Sequence, residues 1–256
     1  IDITDVIDVS SAVTSPAVWS GGTIDASLKS ALEAGFSISG TDLAAPGSVI
    51  WSYSVNDANL DFLADGETIS LTYTVTITDN NNATDTDTVT VTITGTNDDP
   101  EITTAIADFG FTEDTDASAQ DLSSSGTLFF TDIDITDVID VSSAVTSPAV
   151  WSGGTIDASL KSALEAGFSI SGTDLAAPGS VIWSYSVNDA NLDFLADGET
   201  ISLTYTVTIT DNNNATDTDT VTVTITGTND DPEITTAIAD FGFTEDTDAS
   251  AQDLSS

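Results

Sequence analysis

A long exact repeat constrains this chain more than any other feature. Residues 1–124 recur letter for letter as residues 133–256, so the period is 132 residues, and only the segment SGTLFFTD at 125–132 lacks a second copy. Because identical copies do the same job, a unique active site formed between two halves is disfavoured. The repeat favours a modular protein whose copies generate length.

Alternating residues within one period predict β-structure. In 71–77 Leu, Tyr, Val and Ile alternate with Thr, and in 89–93 Val and Ile do the same. The turn TDNNNATD at 78–85 separates the two segments, so they are predicted to form a hairpin with one buried face and one threonine-covered face. Further predicted strands cover 6–13, 51–55, 102–111 and 127–131.

One segment of each period has helical spacing instead. DASLKSALEA at 25–34 places Leu28 and Leu32 four residues apart, offers Asp25 as an N-cap and is followed by Gly35. We expect a short helix there, which carries the only lysine of the copy. About seven strands per period with short turns predict an all-β chain of tandem antiparallel Ig-like sandwiches with one short helix per repeat.

The boundary between repeats is expected in TITGTNDDPEI at 92–102. Its Gly, Asn, Asp-Asp and Pro residues cannot continue a central strand. The expected division is an incomplete Ig-like repeat over 1–100, a complete repeat over 101–232, and the first strand of a following repeat over 233–256. The tail would then carry, at 234–243, a strand that 1–100 lacks. This predicts head-to-tail association of molecules by strand addition, unless 1–100 folds well enough alone.

Composition excludes several classes of function. The chain has 43 acidic residues against two Lys or Arg residues, no His and no Cys, and a formal net charge of -41. Nucleophilic systems built on His, imidazole or thiolate zinc sites and arginine clamps for phosphate are therefore ruled out. Nucleic acid and anionic lipid would be repelled, and no apolar run is long enough to span a membrane. We expect no enzyme, although a carboxylate-only glycosidase would fit the composition.

Four segments carry a family resemblance. GTLFFTDIDITD at 126–137, WSYSVND at 51–57, FLADGETISLTYTVTITD at 62–79 and TVTVTITGTNDDP at 88–100 resemble, in that order, the VCBS repeat. This cadherin-like module occurs in tandem arrays within very large secreted bacterial surface adhesins of the RTX type. The resemblance covers essentially the whole period and implies export to the bacterial cell surface. It also implies a role in adhesion and biofilm formation.

The resemblance also implies a calcium site at the junction 97–101. Alternating carboxylates directly after a strand can converge on one hard cation, which takes six to eight oxygen ligands. The D-x-D-x-x-D run after the strand GTLFFT resembles the calcium ligands of cadherins. The NDD linker, the glutamate of LADGE and the aspartate that closes TVTITD in the second copy resemble further cadherin ligands. The predicted ligands are Glu67, Asn97, Asp98, Asp99, Asp132, Asp134, Asp137 and Asp211.

Two functions remain open from the sequence. The first is a structural extender, stiffened by calcium, that holds a distal binding region away from the cell. The second is a module that itself binds carbohydrate or a neighbouring adhesin, or that self-associates head to tail. An exposed aromatic platform would favour the second function. Trp19 and Trp51 lie in alternating segments and are expected in the core.

Overall fold

The chain forms two successive β-rich bodies in the computed structural model. The structure describes residues 5–56, 59–115, 118–232 and 234–245, and for Asp189 it describes the backbone alone. Each body has its own cluster of buried apolar side chains. We call residues 5–100 the first unit and residues 101–232 the second unit. Glu101 begins the first strand of the second unit, directly after the buried Pro100.

The first unit has a large and a small sheet. Its strands are β1 (Val6–Trp19), β2 (Phe36–Ile38), β3 (Gly40–Ala44), β4 (Trp51–Tyr53), β5 (Thr68–Asp79) and β6 (Thr84–Thr94). The large sheet has the order β3-β1-β5-β6, and β2 pairs only with β4. β5 and β6 form the hairpin that the Thr alternation predicts, with Leu71 opposite Val91.

The second unit is a complete two-sheet sandwich. Its strands are β7 (Glu101–Thr104), β8 (Phe109–Thr112), β9 (Gln120–Thr131), β10 (Val138–Trp151), β11 (Phe168–Ser169), β12 (Gly172–Ala176), β13 (Gly179–Ala190), β14 (Thr200–Thr210) and β15 (Thr216–Thr226). One sheet has the order β12-β10-β14-β15-β8 and the other has the order β11-β13-β9-β7. All pairings are antiparallel except that β8 runs parallel to β15. This is the all-β, Ig-like architecture that the sequence predicts.

A short helix follows the long strand β1 or β10 in each unit. These helices are α1 (Ala26–Ala34) and α2 (Ala158–Ala166), and the side chain of Asp25 or Asp157 accepts backbone hydrogen bonds at each N-terminus. The capping prediction is therefore confirmed. No helix in the described part of the chain is both long and apolar enough to cross a membrane.

Two strand predictions need correction. The segment 102–111 is not one strand, because β7 and β8 are separate and belong to opposite sheets. The chain therefore changes sheets between Thr104 and Phe109. The strand predicted at 51–55 is only three residues long in the first unit, whereas its copy in the second unit, β13, has twelve residues.

The tail also departs from the sequence prediction. Its described residues, 234–245, form no strand, and the part of the predicted repeat start at 246–256 lies outside the described residues.

The prediction that both tryptophans lie in the core is right for Trp19 and wrong for Trp51. Trp51 is 59% exposed, whereas its copy Trp183 is 8% exposed. The difference arises because Phe109, from β8, stacks on Trp183 with a ring-centroid distance of 5.2 Å. In the described part of the first unit, no strand corresponds to β8.

Candidate metal centre

The acidic run after β9 forms a tight loop at the end of the second unit that faces the first. The backbone N–H of Asp134 donates to the side chain of Asp132 at 3.0 Å, and the N–H of Asp137 donates to the Asp134 carbonyl at 3.0 Å. These bonds fold the carboxylates back on one another, as Asp residues in turns commonly do. All three side chains are buried, and Asp134 is 0% exposed.

The turn between β14 and β15 adds a fourth buried carboxylate. Asp211 Oδ1 accepts hydrogen bonds from the backbone N–H groups of Asn213 and Ala215, each at 2.8 Å. One carboxylate oxygen from each of Asp132, Asp137 and Asp211 lies within 4.8 Å of the others. Asp134 lies beside this group and raises the pKa of Asp132 through its charge.

Three oxygens of this cluster are buried without a hydrogen-bond partner. They are Asp132 Oδ2, Asp134 Oδ1 and Asp137 Oδ2. Buried carboxylate oxygens are normally paired, because an unpaired buried charge is costly. Three such atoms in one cluster indicate a place where a positively charged ligand would be stabilised.

The linker contacts the cluster directly. Asn97 Nδ2 donates to Asp211 Oδ2 at 2.9 Å, and the backbone N–H of Asp98 donates to Asp134 Oδ2 at 2.8 Å. Glu67, from the first unit, accepts a hydrogen bond from Thr136 Oγ1 at 2.9 Å. The side chain of Asp98 is half-buried, whereas Asp99 is exposed and makes no hydrogen bond to these carboxylates. The structure thus places Asp132, Asp134, Asp137 and Asp211 in one cluster. Three further predicted ligands, Asn97, Asp98 and Glu67, make hydrogen bonds to the cluster or to its loop, Asp98 only through its backbone, and Asp99 stays outside.

The electrostatics of the cluster disfavour its charged form. Burial, together with the charges of Asp134, Asp137 and Asp211, raises the pKa of Asp132 to about 6, against the lowering effect of the hydrogen bond from the Asp134 N–H. Burial likewise raises the pKa values of Asp134 and Asp137, with the charge of Glu67 contributing to both. Desolvation and like-charge repulsion therefore act in the same direction.

No cationic side chain of this protein can offset that repulsion. The sequence contains two Lys or Arg residues. They are Lys29 and Lys161, and each pairs with a glutamate one turn along its own helix, Glu33 or Glu165. The counter-charge has to come from a bound cation or from protons.

The far end of the second unit serves as an internal comparison, because it carries the same linker sequence. Asn229 Nδ2 donates to the Asp230 carbonyl at 3.0 Å, just as Asn97 Nδ2 donates to the Asp98 carbonyl at 2.9 Å. Glu199 accepts a hydrogen bond from Trp151 as Glu67 does from Trp19. The linker conformation is therefore partly local, whereas its bonds to Asp134 and Asp211 need the adjoining unit.

Sequence reasoning missed three residues at the junction. Thr136 bonds to Glu67, Asn212 accepts from the Val138 N–H at 3.2 Å, and the side chain of Asn213 donates to Asn97. The two asparagines lie in the second copy of the turn TDNNNATD, for which the sequence favours a turn role and supplies Asp211 alone as a predicted ligand. Their position next to Asp211 was the signal that could have identified them.

Glu113, which follows β8, is a further buried acidic residue and lies at the opposite end of the second unit. It is 2% exposed and accepts a hydrogen bond from the Thr228 N–H at 2.7 Å. Its Oε1 atom, Asp114 Oδ1 and Asp230 Oδ1 are buried without a partner. The sequence FTEDTDAS at 111–118 favours a turn, with Glu113 and Asp114 as lesser ligand candidates.

Comparison with known proteins identifies no family for this chain. No family model and no curated protein match the chain. Among solved structures, human CDH23 EC21–23 is 13% identical over 88% of this chain and 63% of that chain, with a TM-score of 0.37. The major subunit AggA of aggregative adherence fimbriae from Escherichia coli is 18% identical over 51% of this chain and 97% of that chain, with a TM-score of 0.33. CfaE, the adhesive subunit of CFA/I fimbria of enterotoxigenic E. coli, is 10% identical over 73% of this chain and 67% of that chain, with a TM-score of 0.37. Likeness this low carries no functional argument, and the Ig-like assignment stands on the strand order described above.

Proposed function

We propose that this chain is a run of extender repeats in a large secreted or cell-surface bacterial adhesin, and that calcium at the junction holds neighbouring repeats in a fixed orientation. The observation that most supports the proposal is the convergence of four buried aspartates with three unpartnered oxygens. The adhesin context comes from the resemblance of the repeat to VCBS modules.

The chemistry of the donor set fits calcium. The cluster offers only oxygen ligands, and hard cations such as calcium take six to eight of them. The ion would be held by four aspartates of the second unit, Asp132, Asp134, Asp137 and Asp211. Asn97 or Glu67 would add an oxygen ligand from the first unit. When bound, the ion would supply the positive charge that the cluster lacks, and the chain's own residues supply the geometry.

Rigidity would follow from where the ligands lie. The loop 132–137 and Asp211 belong to the second unit, whereas Asn97 and Asp98 belong to the linker. A cation held by the first group would order the linker that bonds to it, and so restrict rotation between the units. A short polar linker without such a tie would leave relative domain motion as the default expectation.

The alternative, a repeat that binds carbohydrate, is favoured by one observation. Trp51 is exposed and stacks on Phe36 at 6.0 Å, which forms an aromatic surface. In the second unit the same surface is covered by Phe109, which stacks on Trp183. An identical repeat that covers this surface with its own strand supports the extender role over a sugar platform.

The test uses two matched variants of the full chain. Asp211→Asn and Asp79→Asn change the same residue of the same turn, because Asp79 also accepts backbone hydrogen bonds at 2.8 Å from Asn81 and Ala83. Asp211 faces the junction, whereas Asp79 lies at the far end of the first unit. Calcium titration by calorimetry and thermal melting, with X-ray scattering in calcium and in chelator, would compare them with the unmodified chain.

We expect calcium to raise the melting temperature and to lengthen and stiffen the scattering profile of the unmodified chain and of Asp79→Asn. Asp211→Asn should lose most of this response. At free calcium about 100 times the dissociation constant, one site adds about 2.7 kcal/mol. A calcium response that is absent, or that is equal in the two variants, contradicts the proposal.

A further inference from the structure

The loop after β9 carries apolar as well as acidic side chains. In the run DIDITD at 132–137 the three aspartates are buried, whereas the two isoleucines between them are exposed, Ile133 by 54% and Ile135 by 57%. The fold of the loop that turns the carboxylates toward one another therefore turns both isoleucines outward. Neither isoleucine has a role in the candidate metal site.

The two isoleucines border a groove of the first unit. The groove has a volume of about 760 Å³ and lies between α1 and the loop that follows β4. Among the described residues, the second unit contributes Ile133 and Ile135 to its lining. The apolar lining from the first unit includes Trp19, Leu28 and Phe62. Apolar side chains from two successive bodies thus line one groove.

The same groove is present in the second unit. There it lies between α2 and the chain around the end of β13, and its apolar lining includes Leu160, Val187 and Phe194. The second unit is a complete two-sheet sandwich. The groove is therefore a feature of the repeat fold and does not arise from the strands that the first unit lacks.

Burial differs between the two copies of the residues around the groove. Trp19 is 6% exposed, whereas its copy Trp151 is only half-buried. Ala64 is 5% exposed, whereas its copy Ala196 is an exposed residue. Because the sequences are identical and the first unit has fewer strands, the additional cover comes from the adjoining second unit. Apolar surface removed from water in this way favours contact between the units.

Two hydrogen bonds hold the isoleucine loop beside the groove. Trp19 Nε1 donates to Glu67 Oε2 at 2.9 Å, and Thr136 Oγ1 donates to Glu67 Oε1 at 2.9 Å. Glu67 thus joins the tryptophan of the groove to the residue that follows Ile135. The second unit contains the equivalent Trp–Glu bond, at 3.0 Å. The receiving surface is therefore preformed in the repeat.

We propose that the groove beside α1 is a docking surface for the repeat that follows in the same chain, with Ile133 and Ile135 as its apolar anchors. Continuity with the junction argues for this occupant, because the groove adjoins the bond between Thr136 and Glu67 that already joins the two units. The contact goes beyond the calcium proposal, since it restricts the units by apolar burial and needs no ion. A polar linker alone would leave relative motion of the units as the default.

The test removes the anchors and keeps every aspartate. The double variant carries Ile133→Ser and Ile135→Ser. Ile182→Ser is the matched control, because Ile182 is 73% exposed on β13 of the same unit and lies outside the groove. The chain has no Cys, so Ser30→Cys on α1 and Ser142→Cys on β10, both at exposed positions, allow one spin label on each unit of the full chain. Pulsed electron paramagnetic resonance then measures the distribution of distances between the two units.

We expect a narrow distance distribution for the labelled chain and for its Ile182→Ser variant, and a distribution at least about twofold broader for the double variant, in calcium and in chelator alike. Calorimetry should give the double variant a calcium affinity within about threefold of that of the unmodified chain, because the ligands are kept. In either solution, equal widths for the double variant and the unmodified chain would leave the groove to a separate partner and overturn the inference. Loss of calcium binding in the double variant alone would place the effect in the metal site and also overturn it. If no variant binds calcium but the widths differ as expected, the proposed function fails and the inference stands.

Discussion

Replacing Asp132 by Asn should stabilise this protein when calcium is absent. The Asp132 carboxylate is buried beside Asp137 and Asp211, and its Oδ2 atom has no hydrogen-bond partner. An amide at this position removes one of the repelling charges and directs an N–H group toward the neighbouring carboxylates. The backbone bond from Asp134 to Oδ1 is kept. The same change should lower calcium affinity, because it removes a charged ligand.

The size of the stabilisation expected from Asp132→Asn follows from the pKa of Asp132. Burial raises the pKa of Asp132 from its ordinary value of 3.8 to about 6. One pKa unit corresponds to about 1.4 kcal/mol, so the charged form costs up to about 3 kcal/mol at neutral pH. Screening by solvent at the edge of the cluster reduces this, and we expect about 1–2 kcal/mol of stabilisation from the substitution.

The sign of the pH dependence can be stated in advance. A carboxyl whose pKa is higher in the folded state binds more protons when folded, so without calcium the unmodified chain should lose stability as pH rises from about 4 to about 6. With calcium bound, protonation competes with the ion, so stability should instead fall as pH drops through this range.

The assay is urea unfolding followed by tryptophan fluorescence, in calcium-free buffer and in excess calcium, across this pH range. Asp197→Asn, which removes the same charge at an exposed position of the second unit, is the control. If Asp132→Asn is less stable than the unmodified chain without calcium at neutral pH, the repulsion argument is refuted. The argument is also refuted if Asp132→Asn and Asp197→Asn change the stability by the same amount.

Further predictions use the duplicated sequence and the helix cap. Trp183→Ala should destabilise the second unit by about 3–5 kcal/mol, whereas Trp51→Ala should cost the first unit less than about 1 kcal/mol, as compared by urea unfolding; equal costs would contradict the difference in burial. Asp157→Ala removes the α2 N-cap and should lower the melting temperature, with Asp197→Ala, at an exposed position outside the helix, as a control. Tyr205→Phe removes the hydrogen bond to the Leu164 carbonyl and should cost about 0.5–1.5 kcal/mol in the same assay; no loss in either variant would contradict these contacts.

Local signals in the sequence were enough to predict several elements. The Thr alternation in 68–79 and 84–94 predicts the β5–β6 hairpin, because one face of each strand packs on the core and the other meets solvent. Asp25 and the Leu28–Leu32 spacing predict α1, because capping and helical periodicity act within a few residues. The change of sheet between β7 and β8 was missed, since alternation does not tell which sheet a strand joins.

The candidate metal site also has features that the sequence predicts and features that it does not. The sequence suggested which acidic loops approach the junction through the resemblance to cadherin-like repeats. It could not show that Asp99 stays outside, or that Thr136 and Asn213 bridge the units. Such contacts depend on how two folded bodies meet, and no local pattern encodes that orientation.

Because the repeat is duplicated, one molecule shows which features the local sequence determines and which the tertiary structure determines. Both copies of ASLKSALEA are nine-residue helices with the same cap, so their conformation is determined by the sequence alone. The segment GSVIWSYSVNDA also occurs twice, yet its second copy is the twelve-residue strand β13, whereas within the described residues 47–56 of its first copy only the three-residue strand β4 forms. The difference is decided by tertiary structure, because β9 provides hydrogen-bond partners along β13, whereas β4 pairs with β2 alone. A helix satisfies its hydrogen bonds within its own segment, whereas a strand needs a neighbour that the rest of the fold must place beside it.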